Sequence, residues 1–244
     1  SLSYATGIKR QIGSTAKPLF DYGPGIEYNN WSTYTTFIDE PHAYTNGPSI
    51  KNWNNKYNGV MTMREALKLS MNIPALKAFQ NVKNSDIKKF VTDLGLSPEI
   101  QGNMIHESHS LGGYTGESPL TLSAAYAAIA NGGYYIEPYS VSKILYRETG
   151  EVYEHIPKKT RVMGEDTAYM LTDMLITSAK YNFSRYNLSG VTFGLKTGTT
   201  NFDDKTFQIY KYPSNAVNDL WAAAISPNYS ISTWYGYENL VKEY

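Results

Sequence analysis

Apolar residues recur at helical spacing through the middle of the chain. Thr62 and Glu65 have the spacing of a capping box, which predicts a helix to about Leu69, and Pro74 is expected at the first position of a second helix. Three further helices are predicted: one capped by Ser85 and ending at Gly95, one opened by Ser118-Pro119 and running over 120–130, and one over 165–178.

Strand signals concentrate towards the C-terminal end. Segments 139–147 and 151–156 flank a Glu-Thr-Gly turn and predict a hairpin, 191–197 predicts a strand, and 220–225 with 230–237 predict a second hairpin. Because helices come first and strands cluster last, the order predicts an α+β fold with an antiparallel sheet rather than alternating βαβ units.

Residues 21–58 show no sustained period and are rich in Gly, Pro, Asn, Tyr and Thr, so they are interpreted as a loop. This stretch is long for a structureless connection inside one domain. We therefore expect it either to be functional or to contain short turns of its own.

The composition narrows the class of protein. The 244 residues are enough for one sizeable core, so residues 1–244 are interpreted as one domain. The 22 basic residues balance the 22 acidic ones, which argues against a strongly basic nucleic-acid binder. The absence of cysteine excludes thiolate nucleophiles and disulfides. Tyrosine is frequent, at 22 residues, which indicates either a groove for an extended polar ligand or a compositional bias.

Ser14 and Lys17 form the first candidate catalytic pair. Three residues apart on a helix, they share one face, and Gly13 allows a sharp entry of the backbone. The free N–H groups at a helix start can stabilise an oxyanion, and a neutral lysine can accept a serine proton. The pattern is not specific by itself, since Ser-x-x-Lys recurs at Ser85 and Ser140.

Two further motifs carry candidate binding residues. Lys196-Thr197-Gly198-Thr199 ends a predicted strand, where the glycine lets a ligand backbone approach and the threonine hydroxyls can bind a carboxylate. Ser70-Met71-Asn72 lies between two predicted helices, where side chains can project into a cleft, although Ser-x-Asn recurs at Ser226. Taken singly, each motif is better explained as an ordinary end of a strand or helix.

His106 and His109 are the histidines whose spacing would suggest a metal site. No third ligand lies near them in the sequence, so this segment is predicted to be a surface loop and no metal site is expected. The glycine-rich patches lack the spacing of a phosphate-binding loop, so no cofactor is expected either.

The motifs occur together in the order Ser-x-x-Lys, Ser-x-Asn, Lys-Thr-Gly, the set found in β-lactamases and penicillin-binding proteins. The sequence resembles the transpeptidase domain of a class A (bifunctional) penicillin-binding protein, in the serine-type penicillin-recognising superfamily. The resemblance runs through nearly the whole chain and includes RQIGSTAKP at 10–18, MREAL at 63–67, SPL at 118–120, ANGG at 130–133 and WYGY at 234–237.

This resemblance implies that family's fold, an antiparallel sheet flanked by helices with a mostly helical second lobe. It implies a peptidoglycan D,D-transpeptidase that forms an acyl-enzyme on Ser14 with a stem peptide ending in D-Ala-D-Ala. β-Lactams, which mimic that donor, are expected to acylate the same serine. The implied catalytic residues are Ser14, Lys17, Ser70 and Lys196, and the implied substrate-binding residues are Asn72, Thr197, Gly198 and Thr199.

The chain also departs from the family pattern. Two strands normally precede the Ser-x-x-Lys helix and a helix follows the last strand, but only 13 residues precede Ser14 and seven follow Tyr237. We therefore expect a fragment of a longer membrane-anchored protein, without N-terminal strands, C-terminal helix, glycosyltransferase domain or anchor. The resemblance places it on the extracytoplasmic face of the bacterial cell membrane. Its expected partners are stem peptides, β-lactams and the rest of the same protein, and no nucleic acid.

Two other activities remain open. A D,D-carboxypeptidase or β-lactamase would use water where a transpeptidase uses an amine, but no deacylating glutamate can be placed from the sequence. A β-lactam-binding sensor or scaffold would not turn over, although the presence of every implied catalytic residue speaks against a degenerate scaffold.

Overall fold

The computed structural model describes residues 3–186, 190–213 and 215–237. Within these ranges the α-helices are α1 (Gly23–Asn29), α2 (Met63–Lys68), α3 (Asn72–Gln80), α4 (Asn84–Asp93), α5 (Pro119–Ala130), α6 (Glu165–Asn182) and α7 (Asp204–Tyr210). The strands are β1 (Thr36–Asp39), β2 (His42–Ala43), β3 (Ser49–Ile50), β4 (Gly59–Thr62), β5 (Ile100–Gln101), β6 (Met104–Ile105), β7 (Tyr134–Ile136), β8 (Lys143–Leu145), β9 (Val152–Glu154), β10 (Lys159–Arg161), β11 (Gly194–Asn201), β12 (Val217–Ile225) and β13 (Ser230–Gly236). The shorter helical turns are 3-10 turns at Gly13–Ala16, Glu107–Leu111 and Ser184–Tyr186 and a π-helical turn at Pro18–Tyr22.

The principal sheet is antiparallel, with strand order β11-β12-β13. Helix α6 packs against β11, and α5 packs against β12 and β13. Alternation along β12 buries Trp221, Ala223 and Ile225 on the face that these helices cover. The predicted α+β class, the 139–156 hairpin and the hairpin of β12 and β13 are confirmed.

A helical region lies beside the sheet. Helices α1, α3 and α4 pack around the buried turn at Pro18–Tyr22, and α2 packs against α3 and α6. One apolar cluster runs through both regions, from Phe20 and Leu67 to Leu171 and Trp221, so the sheet and the helices share a core. None of the helices in the described ranges combines the length and apolar character needed to cross a bilayer.

Several predicted helix starts are confirmed. The Thr62 hydroxyl accepts a hydrogen bond from the Glu65 backbone N–H at the start of α2, and Ser118 caps α5 in the same way. Helix α6 begins as predicted but continues past 178 to Asn182. Capping residues were therefore sufficient to predict where a helix begins when the cap lies next to its helix in the sequence.

Other helix starts were predicted wrongly. Ser85 is not a cap, because α4 begins one residue earlier and Lys83 occupies the N-cap position. Pro74 is the third residue of α3 rather than the first, because the helix begins at Asn72. The side chain of Asn52, which lies far upstream, accepts hydrogen bonds from the first N–H groups of α3, and no local pattern reveals this.

The prediction of a loop over 21–58 was wrong at the start of the segment, which is helical, and correct in allowing for short turns in the rest. The segment contains all of α1, with buried Ile26, and the short strands β1 to β3. The glycines and the proline at the start of α1 hide the helical period.

The predicted surface loop around His106 is also corrected. It contains the 3-10 turn at Glu107–Leu111, and His109 is buried with its ring stacked on Tyr114 at 5.0 Å. Burial lowers the pKa of His109. In the described part of the chain, no three His, Cys, Asp or Glu side chains are arranged to hold a metal ion.

The Asp219 carboxylate should be a main polar anchor of the sheet. It is buried in β12 and accepts hydrogen bonds from Arg10 Nε at 2.7 Å and Trp234 Nε1 at 2.8 Å. Asp219→Ala leaves these donors unpaired and is expected to lower the free energy of unfolding by about 3 kcal/mol in urea titrations. Glu148→Ala, in an exposed hairpin turn, is the control, and an equal loss in both variants would contradict this role.

Candidate active site

Ser14 lies in the 3-10 turn that opens the helical segment, as the sequence predicted for the start of a helix. A 3-10 helix has three residues per turn, so Ser14 and Lys17 lie on the same side. Lys17 is fully buried, whereas Ser14 is partly exposed. The Tyr126 hydroxyl donates a hydrogen bond to Thr15 O at 2.8 Å, which ties this turn to α5.

Two glycines allow β11 to lie directly against the Ser14 turn. A Cβ on Gly13 would come within 2.4 Å of Thr199 O, and a Cβ on Gly198 within 2.3 Å of Ile12 O. Gly13 also has a φ of +53°, a conformation that L side chains rarely adopt. The nucleophile candidate and the edge of the strand are therefore in backbone contact, and no larger residue fits at either position.

Ser70 lies at a position where helices usually end in glycine. The Met71 N–H bonds to Ala66 O at 2.9 Å and the Ser70 N–H bonds to Leu67 O at 3.1 Å, which together form a Schellman cap on α2. Ser70 takes the left-handed conformation of this cap, with φ of +55°. Such a conformation is unfavourable for a residue with a side chain, so the serine hydroxyl is retained at a cost in stability.

Two buried lysines meet at Ser70. Lys196 Nζ donates a hydrogen bond to Ser70 Oγ at 2.8 Å and to Thr197 O at 2.8 Å. Lys17 Nζ donates to Ser70 O at 2.7 Å and to Asn72 Oδ1 at 2.8 Å, and it lies 3.4 Å from Ser70 Oγ. One hydroxyl therefore links both amines.

Burial favours the neutral form of both lysines. Desolvation lowers the pKa of Lys196 to about 7. Desolvation, followed by the charge of Lys196, holds the pKa of Lys17 well below its ordinary value. Asp21 works weakly in the opposite direction, because burial raises the pKa of its carboxyl and favours the uncharged acid. A neutral amine has a free electron pair, which is what a general base requires.

Both ends of the Asn72 amide are occupied. Its Oδ1 accepts from Lys17, and its Nδ2 donates to Lys51 O at 2.8 Å. The amide is therefore held with its oxygen towards the lysine pair.

The site opens into a cleft of about 770 Å³ between β11 and the helical region. Of the residues predicted from sequence, Ser14, Ser70, Asn72, Thr197, Gly198 and Thr199 line this cleft, while Lys17 and Lys196 lie buried beside it. Alternation along β11 explains part of this, since Lys196 points to the inner face and its neighbouring threonines to the outer face.

The lining also includes residues that the sequence reasoning missed. They are Gln11, Lys51, Asn52, Trp53, Asn55, Leu69, Leu111, Asn182, Thr200 and Asn201. The only signal for the group around Trp53 was the unusual length of the predicted loop, for which a functional role was one of the two expectations. Among the residues that the structure describes, no tyrosine lines this cleft, so the tyrosine-rich groove is not found here.

The competing motif copies lie elsewhere. Ser85 is exposed in α4, Ser140 is exposed beside the β8–β9 hairpin, and Ser226 lies in the turn between β12 and β13. The structure does not join Ser14 directly to a base, since its hydroxyl has no hydrogen-bond partner among the described residues. Catalytic hydrogen bonds are often formed only once substrate is bound.

Comparison with known proteins identifies the family. The model of the penicillin binding protein transpeptidase domain matches residues 3–243, so the chain belongs to that family. The chain is 42% identical over 238 residues to penicillin-binding protein 1A/1B of Bacillus subtilis (strain 168), covering 96% of this chain and 26% of that protein. It is 35% identical over 250 residues to penicillin-binding protein 1A of Streptococcus pneumoniae (strain ATCC BAA-255 / R6), covering 98% of this chain and 34% of that protein.

The fold is shared with solved structures. The penicillin-binding protein PonA1 from Mycobacterium tuberculosis superimposes with a TM-score of 0.81 at 22% identity, over 96% of this chain and 61% of that one. The similarity to 1A-type proteins agrees with the class A resemblance of the sequence. The chain spans about a quarter to a third of the length of the two bacterial relatives it matches.

The buried lysines predict a pH-dependent stability. Because the pKa of Lys196 is lower in the folded state, the unfolded state binds its proton more tightly, and stability rises with pH from about 7 towards 10.5. In Lys196→Met this contribution is lost. As the pH rises from 7.5 to 9, the free energy of unfolding of wild type should therefore increase relative to that of the variant by up to about 1 kcal/mol per pH unit. A difference that stays constant with pH would show that Lys196 titrates normally.

Proposed function

We propose that this domain is a peptidoglycan D,D-transpeptidase that works through an acyl-enzyme on Ser14. The observation that carries the proposal is the Ser70 hydroxyl, which links two buried amines beside the cleft that Ser14 lines. Membership of the transpeptidase-domain family supports the same activity.

In the acylation step, Ser14 Oγ attacks the carbonyl carbon of the penultimate D-Ala, and the Ser14 proton passes to the neutral amine of Lys17. The resulting ammonium retains Ser70 O and Asn72 Oδ1 as acceptors, which stabilise its charge. The backbone N–H groups of Ser14 and Thr199 form the oxyanion hole. Two features support this: the first N–H groups of a helix lack internal partners, and Thr199 lies against Gly13.

The departing D-Ala needs a proton on its nitrogen as the peptide C–N bond breaks. Ser70 supplies it and is reprotonated from Lys17, with Lys196 holding the hydroxyl in place. Thr197 and Thr199 bind the terminal carboxylate of the donor, and Gly198 lets the peptide lie along β11. Asn72 is proposed to bind the donor peptide as well as to hold Lys17.

In the second step, the side-chain amine of a neighbouring stem peptide attacks the acyl carbon. The proton of that amine passes through the same lysine and serine groups to Ser14 Oγ, which leaves as the hydroxyl. The new amide bond is the cross-link. β-Lactams are proposed to enter at the first step, because their ring carbonyl and carboxylate imitate the donor.

The remaining expectations are proposals about the whole protein. The relatives extend well beyond the matched region, which supports placing residues 1–244 as the transpeptidase domain of a longer membrane-anchored protein. We propose the extracytoplasmic face of the bacterial membrane as its location, and a glycosyltransferase domain of the same protein as a partner.

The alternative reactions differ in what removes the acyl group. A D,D-carboxypeptidase or β-lactamase would hydrolyse the adduct with water, whereas a sensor or scaffold would keep it. In the transpeptidase account, the penicilloyl adduct on the purified domain should persist for hours. If mass spectrometry shows that the adduct decays within seconds, the result would favour a β-lactamase.

Acylation is expected at Ser14 alone. After incubation with a fluorescent penicillin, peptide mass spectrometry should find the adduct on Ser14, and Ser14→Ala should reduce labelling to background. Ser85→Ala and Ser140→Ala, which change the other two Ser-x-x-Lys copies, should label like wild type. Undiminished labelling of Ser14→Ala would refute the assignment.

Lys17→Ala tests the general base. Loss of the amine should slow acylation by at least about a hundredfold, measured by stopped-flow with the same penicillin, while the domain retains a cooperative thermal transition. A folded variant that reacts at a near-normal rate would exclude Lys17 as the base.

A further inference from the structure

Asn72 is held in the active site by Asn52, a residue with no role in the reaction steps described above. Asn52 is buried, at 2% exposure. Its Oδ1 accepts hydrogen bonds from the backbone N–H groups of Asn72 at 2.9 Å and Ile73 at 3.2 Å. These are the first two N–H groups of α3, which have no partners inside the helix. One distant side chain therefore caps the helix at the residue whose amide contacts Lys17.

The orientation of the Asn52 amide is itself fixed. Its Nδ2 donates to Asp39 Oδ1 at 2.7 Å and to Lys56 O at 2.8 Å. Asp39 is also buried, and its second oxygen accepts from Asn58 N at 2.9 Å and Asn58 Nδ2 at 2.7 Å. If the Asn52 amide were turned over, its NH₂ group would face the N–H groups of α3 and its oxygen would face a carboxylate. Asp39 thus determines which end of the amide faces the active site.

The backbone next to Asn52 controls the Asn72 side chain. Lys51 O accepts from Asn72 Nδ2 at 2.8 Å, which leaves Asn72 Oδ1 directed at Lys17 Nζ, also at 2.8 Å. Residues 51 and 52 therefore hold Asn72 twice, once by its backbone and once by its amide. A shift of Asn52 moves both attachments together.

We propose that Asn52 is a positioning residue for the reaction, which Asp39 orients and which acts by holding the Asn72 oxygen against Lys17. The inference rests on the proposed function for its kinetic consequence but not for its geometry. It assigns to the pair a role in the acylation step in addition to any contribution to folding.

Exchanging the two side chains tests the proposal. Asn52→Asp alone places two buried carboxylates together, and Asn52→Leu removes every hydrogen bond of the side chain while keeping a similar volume. The double variant Asp39→Asn/Asn52→Asp restores a donor facing an acceptor between the two side chains, with a free carboxylate oxygen for the N–H groups of α3, and leaves only Lys56 O without its donor. Asn54→Ala is the matched control, since the Asn54 side chain, among the described residues, only accepts a hydrogen bond from Lys56 N within its own turn.

Stopped-flow acylation by a fluorescent penicillin should separate these variants. Asn52→Leu and Asn52→Asp are expected to lower the first-order acylation rate by ten- to a hundredfold, with the apparent dissociation constant of the penicillin changed less than threefold. The double variant should recover to within about fivefold of wild type, and Asn54→Ala should react normally. Thermal melts identify any variant that does not fold.

A second readout does not depend on activity. In Asn52→Leu the Lys17 ammonium loses its fixed acceptor, so its titration midpoint, followed by NMR of lysine labelled with ¹³C at the ε carbon, should fall below that of wild type. A lowered melting temperature with unchanged acylation and an unchanged Lys17 midpoint would overturn the proposal and reduce Asn52 to a structural role. If wild type is not acylated but the Lys17 midpoint still moves, the proposed function fails and the positioning role stands.

Discussion

The active site depends on the burial of two lysine amines around one serine hydroxyl. A charged ammonium loses most of its solvation when it is buried, so burial favours the neutral amine unless a carboxylate lies close enough to compensate. Here the hydrogen-bond acceptors are the oxygens of Ser70, Asn72 and Thr197, none of which is charged. The neutral amine is what permits proton transfer from a serine near neutral pH, so the fold prepares the chemistry by excluding water.

The surrounding backbone is shaped to bring the hydroxyl to these amines. Ser70 occupies the left-handed position of a helix cap that usually holds glycine, and so projects its side chain from the very end of α2. Gly13 and Gly198 remove the side chains that would separate the Ser14 turn from β11. Asn52 fixes the start of α3 because its side-chain oxygen accepts hydrogen bonds from the first N–H groups of that helix. The free energy lost to the strained backbone of Ser70 and to the missing side chains of Gly13 and Gly198 is compensated by burial in the shared core.

The sequence was informative wherever a feature depends on neighbouring residues or on the order of motifs. The caps at Thr62 and Ser118 and the C-terminal hairpin were predicted, and the candidate site residues were all selected from motif order. The left-handed serine and the cap provided by Asn52 were not predictable, and the burial of Lys17 was expected only from the family resemblance. Each depends on contacts between segments far apart in the chain, and tertiary burial leaves no periodic signal in a short motif.

The most direct test of this account is the titration of the two lysines in the unmodified domain. NMR of lysine labelled with ¹³C at the ε carbon, with resonances assigned through Lys17→Arg and Lys196→Arg, reports each amine separately. Both lysines should titrate far below the others, with the pKa of Lys196 at about 7. Two resonances that titrate near the ordinary value of 10.5 would contradict it, because both amines would then be charged and unable to accept the serine proton.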